Sequence, residues 1–481
     1  MISPSIHAVP SVADELRSVN LGDRRREKRL RAVAEVWSAA PDRCVPSASK
    51  SSAMTEATYR LLNNEQVTYS AIADAHARET RDRVARAKTA IVAHDTSNFS
   101  YQGEVKRKGL GRLRTRSEQG FLAHVALAIS ADGEKRPLGV LGFAPWVRTG
   151  SPRRKKKNGT KRSAADYAKD QNKESERWAK MVKSVEAPVG DEASLIHVMD
   201  READDYPLLA MLKGEDCRFV VRLYKNRVVS AENGQEPLKR ALERVKGICQ
   251  REVPLSRRKK TTIPGRSKTF PGRDARIAKL QFGATTIEVK KPKYLKNVPP
   301  SLKLNIVRVR EIEVPEDVDP VQWTLVTSEP IETEADLMAV VDIYRTRWLV
   351  EELFKALKTG CAIEKRQHES LHALLNATAI CLPIAWQMLL MRTLARNAPE
   401  SPATDALTPT QVEVLKVCSP IKLGPNPTVK EALSAVAALG GHLKNNGDPG
   451  WLVLGRGMDY VLALERGWLA RDRATAEKSD R

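Results

Sequence analysis

The sequence predicts an α/β core set between two helical ends and interrupted by a β-rich insertion. Three observations predict it. Residues 1–85 and those after 366 carry helical patterns broken only by short Ser/Thr-rich or Pro/Gly-containing connectors. From residue 89 the period changes, and short apolar strands begin to alternate with helices. Residues 224–320 then break the alternation with strand-like pieces and basic runs. The divisions expected are a helical N-terminal domain at 1–88, a mixed-sheet domain at 89–365 with its insertion at about 224–320, and a helical C-terminal domain at 366–481.

The chain has 481 residues, 29% charged and 41% hydrophobic, enough for several globular domains. Its net charge of +22 points to a polyanionic partner. Ala373 to Met391 is the most apolar stretch, yet Asn376, Pro383 and Gln387 interrupt it, so a buried helix is expected rather than a membrane span. The N-terminus lacks a charged segment followed by a hydrophobic one, so no secretory signal is expected. Six scattered cysteines form no CxxC pair, and His368 and His372 lack the companions of a zinc site. A reducing, cytoplasmic compartment fits this usage.

In chain order, LGDRRREKRLRAVAEVW opens the first long helix. Asp23 suits its N-cap, and Arg24, Arg25 and Arg26 follow at once. Cations in a first turn oppose the helix dipole, so phosphate contact explains them better than helix stability does. TAIVAHDTSNFSY reads as a strand with Ile91, Ala93, Asp95 and Ser97 on one side. FLAHVALAIS and LGVLGFAPW are two more strands, connected through an Asp132-Gly133 turn. A charged helix is expected around 163–186, then the strand SLIHVMD ending at Asp200. A short helix follows with Pro207 in its first turn, then the strand CRFVVRL. Basic loops at 105–116 and 152–162 contain no acid and suit nucleic-acid backbone contact. QWTLVTSEP closes the insertion as a strand.

The segment DIYRTRWLVEELFKALKTG carries the densest chemistry. On a regular helix over about 335–360, Tyr344, Arg347, Glu351, Lys355 and Lys358 fall within an arc of about 80°. Ile343, Val350, Leu353, Phe354 and Leu357 form an apolar face beside them. Glu352 lies about 100° away from Glu351 and off the stripe. One carboxylate among cations suits a metal ligand flanked by phosphate contacts, although a solvated charged face has the same pattern. Asp95 and Asp200, each expected at the end of an apolar strand, supply two further carboxylates; strand ends also use aspartate for turns and caps. In so basic a chain, carboxylates on one scaffold suit hard divalent ions acting on a phosphodiester.

These segments resemble the DDE transposases, specifically the insertion-sequence-four family and its transposon-five branch. That family carries a Tyr, two residues, Arg, three residues, Glu, six residues, Lys signature, and Tyr344, Arg347, Glu351 and Lys358 match it at every gap. HDTSNFSY resembles the segment bearing the first catalytic aspartate, Asp95, and DREAD the segment bearing the second, Asp200. LGDRRREKRL and EATYRLLNN resemble the family's DNA-binding region, and ALGGHLKNNGDPGW its C-terminal domain. The resemblance implies an RNase H-like fold and cut-and-paste transposition. Two Mg²⁺ ions, replaceable by Mn²⁺, would be held by Asp95, Asp200 and Glu351. Tyr344, Arg347, Lys355 and Lys358 would contact DNA near the cut, and Trp323 would stack on a flipped base. The implied partners are double-stranded DNA, as transposon ends and target, and a second copy of the chain; the implied location is the nucleoid, with no membrane. Phe354 departs from the pattern, since close relatives place a histidine there, and packing is expected of it instead. A catalytically silent DNA-binding derivative and an RNase H-like structure-selective nuclease are the alternative readings.

Overall fold

The computed structural model describes residues 9–49, 51–103, 106–113, 118–148, 175–232, 234–255, 257, 261–262, 269–270, 272, 274–316, 318–443 and 447–479. The chain begins with α1 (Val12–Glu15), α2 (Arg24–Ser38), α3 (Val45–Ser49), α4 (Ser52–Asn63) and α5 (Tyr69–Ala87). Strands β1 (Thr89–Tyr101), β2 (Gly111–Arg112), β3 (Gln119–Ser130) and β4 (Pro137–Trp146) follow, then α6 (Glu176–Val189). Next come β5 (Ser194–Met199), α7 (Tyr206–Gly214), β6 (Arg218–Arg222), β7 (Val228–Ala231), β8 (Gly234–Pro237) and α8 (Leu238–Glu243). The insertion continues as β9 (Cys249–Leu255), β10 (Thr261–Thr262), β11 (Thr269–Phe270), β12 (Arg276–Lys290) and β13 (Ser301–Ile312), and β14 (Gln322–Thr327) follows it. Helices α9 (Glu334–Thr346), α10 (Trp348–Lys355), α11 (Leu371–Asn397), α12 (Pro409–Cys418), α13 (Val429–Leu439) and α14 (Trp451–Ser479) complete the chain. This is the expected RNase H-like arrangement of a mixed α/β sheet with helical ends. The loop at 152–162 and the first part of the helix expected at 163–186 lie outside the described residues.

Two compact units emerge. The first comprises Met1–Arg153, Lys183–Ser194 and Trp348–Arg481. In it β1 pairs antiparallel with β3 along its whole length, and β4 pairs antiparallel with β3. The β3–β4 turn is closed as its residues suggest: Asp132 Oδ1 accepts from Ser130 Oγ (2.6 Å) and from the Glu134 amide (3.0 Å), and Gly133 takes φ +93°. Helix α5 packs on β4, and α11 packs on both. Helix α11 is long and apolar enough to cross a membrane, but 94% of its most apolar window is buried inside the protein, so core packing accounts for its composition. Against it Leu433, Val436, Leu454 and Val461 complete the core of the C-terminal helices.

The N-terminal helices are fastened to this unit by a buried polar cluster. The Val140 amide donates to His76 Nε2 (3.1 Å), so the ring's proton sits on Nδ1, facing Glu15 Oε2 at 2.6 Å. Arg83 pairs with Glu15 (2.6 Å) and lies over the Trp386 ring (4.3 Å). Burial by itself would raise the Glu15 carboxyl, but the hydrogen bond from His76 and the charge of Arg83 outweigh it and hold the group at about 2. Burial pushes the His76 imidazole down, in keeping with a neutral ring.

The second unit comprises Arg154–Val182 and Leu195–Arg347. Here β5 and β6 are parallel, whereas β6–β14–β13–β12 are antiparallel neighbours, with β7 and β9 also pairing β12. The β-rich segment is therefore continuous with the sheet rather than separate from it. Trp178, Tyr206, Phe219, Ile306 and Val326 share its core.

Two local expectations are corrected. The regular helix over 335–360 is broken: α9 ends at Thr346, α10 starts at Trp348, and Ala356–Gly360 form a π-turn. The Thr346 hydroxyl donates to the Asp342 carbonyl (2.9 Å), and the Arg347 amide closes a tighter bond to the Tyr344 carbonyl (3.2 Å). Farther on, the Cys361 amide reaches back five residues to the Ala356 carbonyl (2.8 Å). The single 80° stripe derived from an ideal helix is thus interrupted on both sides of Glu351. The second correction concerns Asp95, which lies in the middle of β1 rather than at its end, because β3 keeps pairing it as far as Tyr101.

Candidate active site

Strand β1 is built to present Asp95 rigidly. Ile91, Val92, Ala93 and His94 are buried whichever way they point, and from Asp95 to Asn98 the strand becomes half-exposed. The carboxylate therefore emerges where a fixed strand leaves the core. Its Oδ1 accepts from the Thr96 amide (2.7 Å), and Thr96 Oγ1 lies 2.9 Å from Nδ1 of His124, directly across on β3. His94 and His124, both buried, stack at 5.6 Å. Apolar periodicity does not single out Thr96 and His124; a polar run inside an otherwise apolar strand pair is their signal in the sequence.

Glu351 belongs to the same unit, half-exposed on α10, and α10 packs against β1. One turn along, buried Phe354 sets its ring edge-on to Phe99 of β1, 6.3 Å away, so the packing expected of Phe354 anchors this helix to the strand. Neighbouring Glu352 is engaged elsewhere: Lys355 lies 2.6 Å from one of its oxygens and Arg392 3.5 Å from the other. That cluster gives Lys355 a structural partner. Lys358 sits over the Phe99 ring (5.3 Å) and 3.6 Å from Glu364, whose carboxylate also accepts from the Ser100 amide (2.8 Å).

The second unit holds Asp200, Trp323, Tyr344 and Arg347. Asp200 follows β5, half-exposed, and caps the short turn Arg201–Ala203 by accepting from the Glu202 amide (2.8 Å). Tyr344 and Arg347 end α9 and are buried, at 5% and 7% exposure. Trp323 is half-buried on β14, and its ring lies 5.6 Å from that of Tyr344, tilted by 59°. Among the described residues no three His, Cys, Asp or Glu side chains are grouped as a ready metal site. In donor chemistry Asp95, Asp200 and Glu351 suit a hard divalent ion, being carboxylates carried half-exposed on regular elements or directly at their ends.

At the N-terminal helices, Asp23 caps α2 through the Arg25 amide (2.8 Å) and also pairs with the Arg25 guanidinium (3.1 Å). Arg26 donates to the Leu21 carbonyl (3.0 Å), while Arg24 is exposed. In the described part of the 105–116 loop, Arg107 is structural: it donates to the carbonyls of Arg366 and His368 and lies over the Tyr101 ring.

A mixed α/β sheet between helical ends is an RNase H-like fold. Residues 10–67 match the family model for transposase DNA-binding, and residues 148–385 match that for the transposase DDE domain. The chain carries a transposase DNA-binding domain and a DDE transposase domain. Asp200, Trp323, Tyr344, Arg347, Glu351 and Lys358 fall inside the second match, and Asp95 precedes it. Among solved structures the chain is similar to a piggyBac transposase synaptic complex with hairpin DNA, at 11% identity and a TM-score of 0.29. That match covers 65% of this chain and 48% of the other.

Proposed function

We propose that this chain is a cut-and-paste DNA transposase of the insertion-sequence-four type. The observation that carries the reading is the presence in one chain of a DNA-binding domain and a DDE domain, in a protein of net charge +22. DDE domains use divalent metal ions, and Asp95, Asp200 and Glu351 are the residues we assign to hold Mg²⁺ here. When bound, such ions supply an activated water and neutralise charge building on the phosphate.

The chain's own residues do the rest. Lys358 and Arg347 position the scissile phosphate. Arg24, Arg25 and Arg26 of α2 bind the terminal repeat by its backbone. Each step is an in-line displacement at phosphorus without a covalent protein intermediate. Hydrolysis frees a 3′-OH, which attacks the opposite strand to form a hairpin; the hairpin is reopened and the 3′ end is joined to target DNA. Two copies of the chain hold two ends together.

The test is charge-neutral replacement. With duplexes from the DNA flanking the gene, Asp95→Asn, Asp200→Asn and Glu351→Gln each abolish Mg²⁺-dependent cleavage and keep binding within a few fold, because ligation needs the carboxylate charge and phosphate binding does not. Glu352→Gln retains cleavage. Cleavage retained in Glu351→Gln and lost in Glu352→Gln would reassign the third ligand, and cleavage by all three variants would overturn the proposal.

A further inference from the structure

Tyr224 is the most exposed of the large hydrophobic side chains among the described residues, at 73%. Exposure of one ring is ordinary on a protein surface, but this ring is carried on a segment held at several points. The amides of Tyr224 and Lys225 both donate to Oδ2 of Asp204, at 2.8 and 2.6 Å. Asp204 is itself buried and grips the guanidinium of buried Arg227 through Oδ1. One residue before the ring, the Leu223 amide donates to the Thr324 carbonyl (2.8 Å), and two residues after it Asn226 accepts from the Lys239 amide (2.9 Å). A buried ion pair thus braces a backbone whose product is a solvent-facing aromatic.

The surroundings specify a ligand. The Arg201 guanidinium stands 5.7 Å from the centre of the Tyr224 ring. Arg222 and Lys225 flank it in the chain; the nearby acids are Asp204, paired with Arg227, Asp205, 3.6 Å from Lys225, and Glu202, paired with Arg177. A rigid π-face beside cations suits a flat, polarisable group attached to phosphate. Asp200 is the residue before Arg201, and Thr324, to which Leu223 is bonded, is the residue after Trp323. We propose that Tyr224, braced by Asp204 and flanked by Arg201, is a stacking platform for an unpaired nucleobase of a DNA strand. This deepens the DNA-processing reading: it assigns a part of the substrate, a base that has left the duplex, to a residue outside the Tyr–Arg–Glu–Lys signature. Stacking is indifferent to base identity because every base has a π-face, so the platform reads displacement rather than sequence.

The test is equilibrium binding without divalent ions, so that it does not depend on cleavage. Fluorescence anisotropy compares a labelled single-stranded 12-mer of thymidylate with a duplex of equal length, for the full chain and its variants. Tyr224→Ala weakens single-strand binding by about five-fold to a hundred-fold, the range for losing one base–aromatic stack, and leaves duplex binding within about two-fold. Tyr224→Phe and Tyr224→Trp keep the wild-type preference, since they keep the π-face. Arg201→Ala weakens both, through lost phosphate attraction. Unchanged single-strand binding in Tyr224→Ala, an equal loss on both DNAs, or failure of Tyr224→Phe to restore binding would each overturn the platform. None of these outcomes bears on the carboxylate assay, whose failure would leave a DNA-binding protein with this platform intact.

Discussion

Acid should loosen the junction that follows the Glu351 helix, and His368 supplies the magnitude. His368 lies between the π-turn and α11, buried at 4% exposure, with its ring edge-on to Tyr59 of α4 at 6.0 Å. Burial, with added repulsion from Arg366 and Arg107, pushes its imidazole from the usual 6.5 down to about 4. A folded-state value below the unfolded one means that the neutral ring's contribution is complete above about pH 6.5. It is lost as the pH falls from there through about 4. The drop from 6.5 to about 4 corresponds to about 3 kcal/mol, to order of magnitude. Urea unfolding of wild type and His368→Leu at about pH 7.5 and about pH 4 isolates this contribution, because losses at Glu15 and His76 are common to both proteins. The variant should lose about 2–3 kcal/mol less than wild type between the two conditions. Parallel losses in the two proteins would refute the argument.

Further outcomes follow from the same contacts. Replacing Arg24, Arg25 and Arg26 by alanine should weaken end binding and reduce its salt slope by about two to three counterions, toward two because Arg25 is already paired with Asp23; an unaltered slope would mean these side chains leave phosphate untouched. Trp323→Ala should leave first-strand nicking intact and sharply reduce hairpin formation, since an unstacked base loses about 1–3 kcal/mol of aromatic support; lost nicking or unfolding would make Trp323 a packing residue, as its contact with Tyr344 also permits. Removing residues 466–481 deletes the outer end of α14, where Leu469 is exposed, and spares its buried Leu454 and Val461. Single-end binding should survive and the paired-end complex should be lost; pairing by the shortened chain would rule out α14 as the contact between copies. A cut near residue 370 could not make this test, because it would remove α11 from the core.

What was legible in the sequence follows from the range of the forces involved. Strands β1, β3, β4, β5 and β6 and the helical ends announce themselves through apolar spacing, because burial is decided residue by residue along the chain. The break at Arg347 and the π-turn do not, because distant packing sets them. Gly360 closes the π-turn where an added Cβ would stand 2.8 Å from the Met388 side chain of α11, and Gly455 of α14 comes close to the Gly360 carbonyl. The backbone there must make room for two helices lying later in the chain, which no local periodicity records. Asp95 fails similarly as a strand end: the apolar run stops there, but β3 supplies ladder partners for six more residues, and a strand lasts as long as its neighbour pairs it. The choice of Glu351 over Glu352 rests in the sequence on helical phase and on the spacing of the Tyr–Arg–Glu–Lys signature. In the fold Glu352 is engaged by other groups, since Arg392, forty residues away, joins Lys355 in neutralising it. A carboxylate held between two cations is a poor ligand for a third, because binding metal would strip it of contacts it already has.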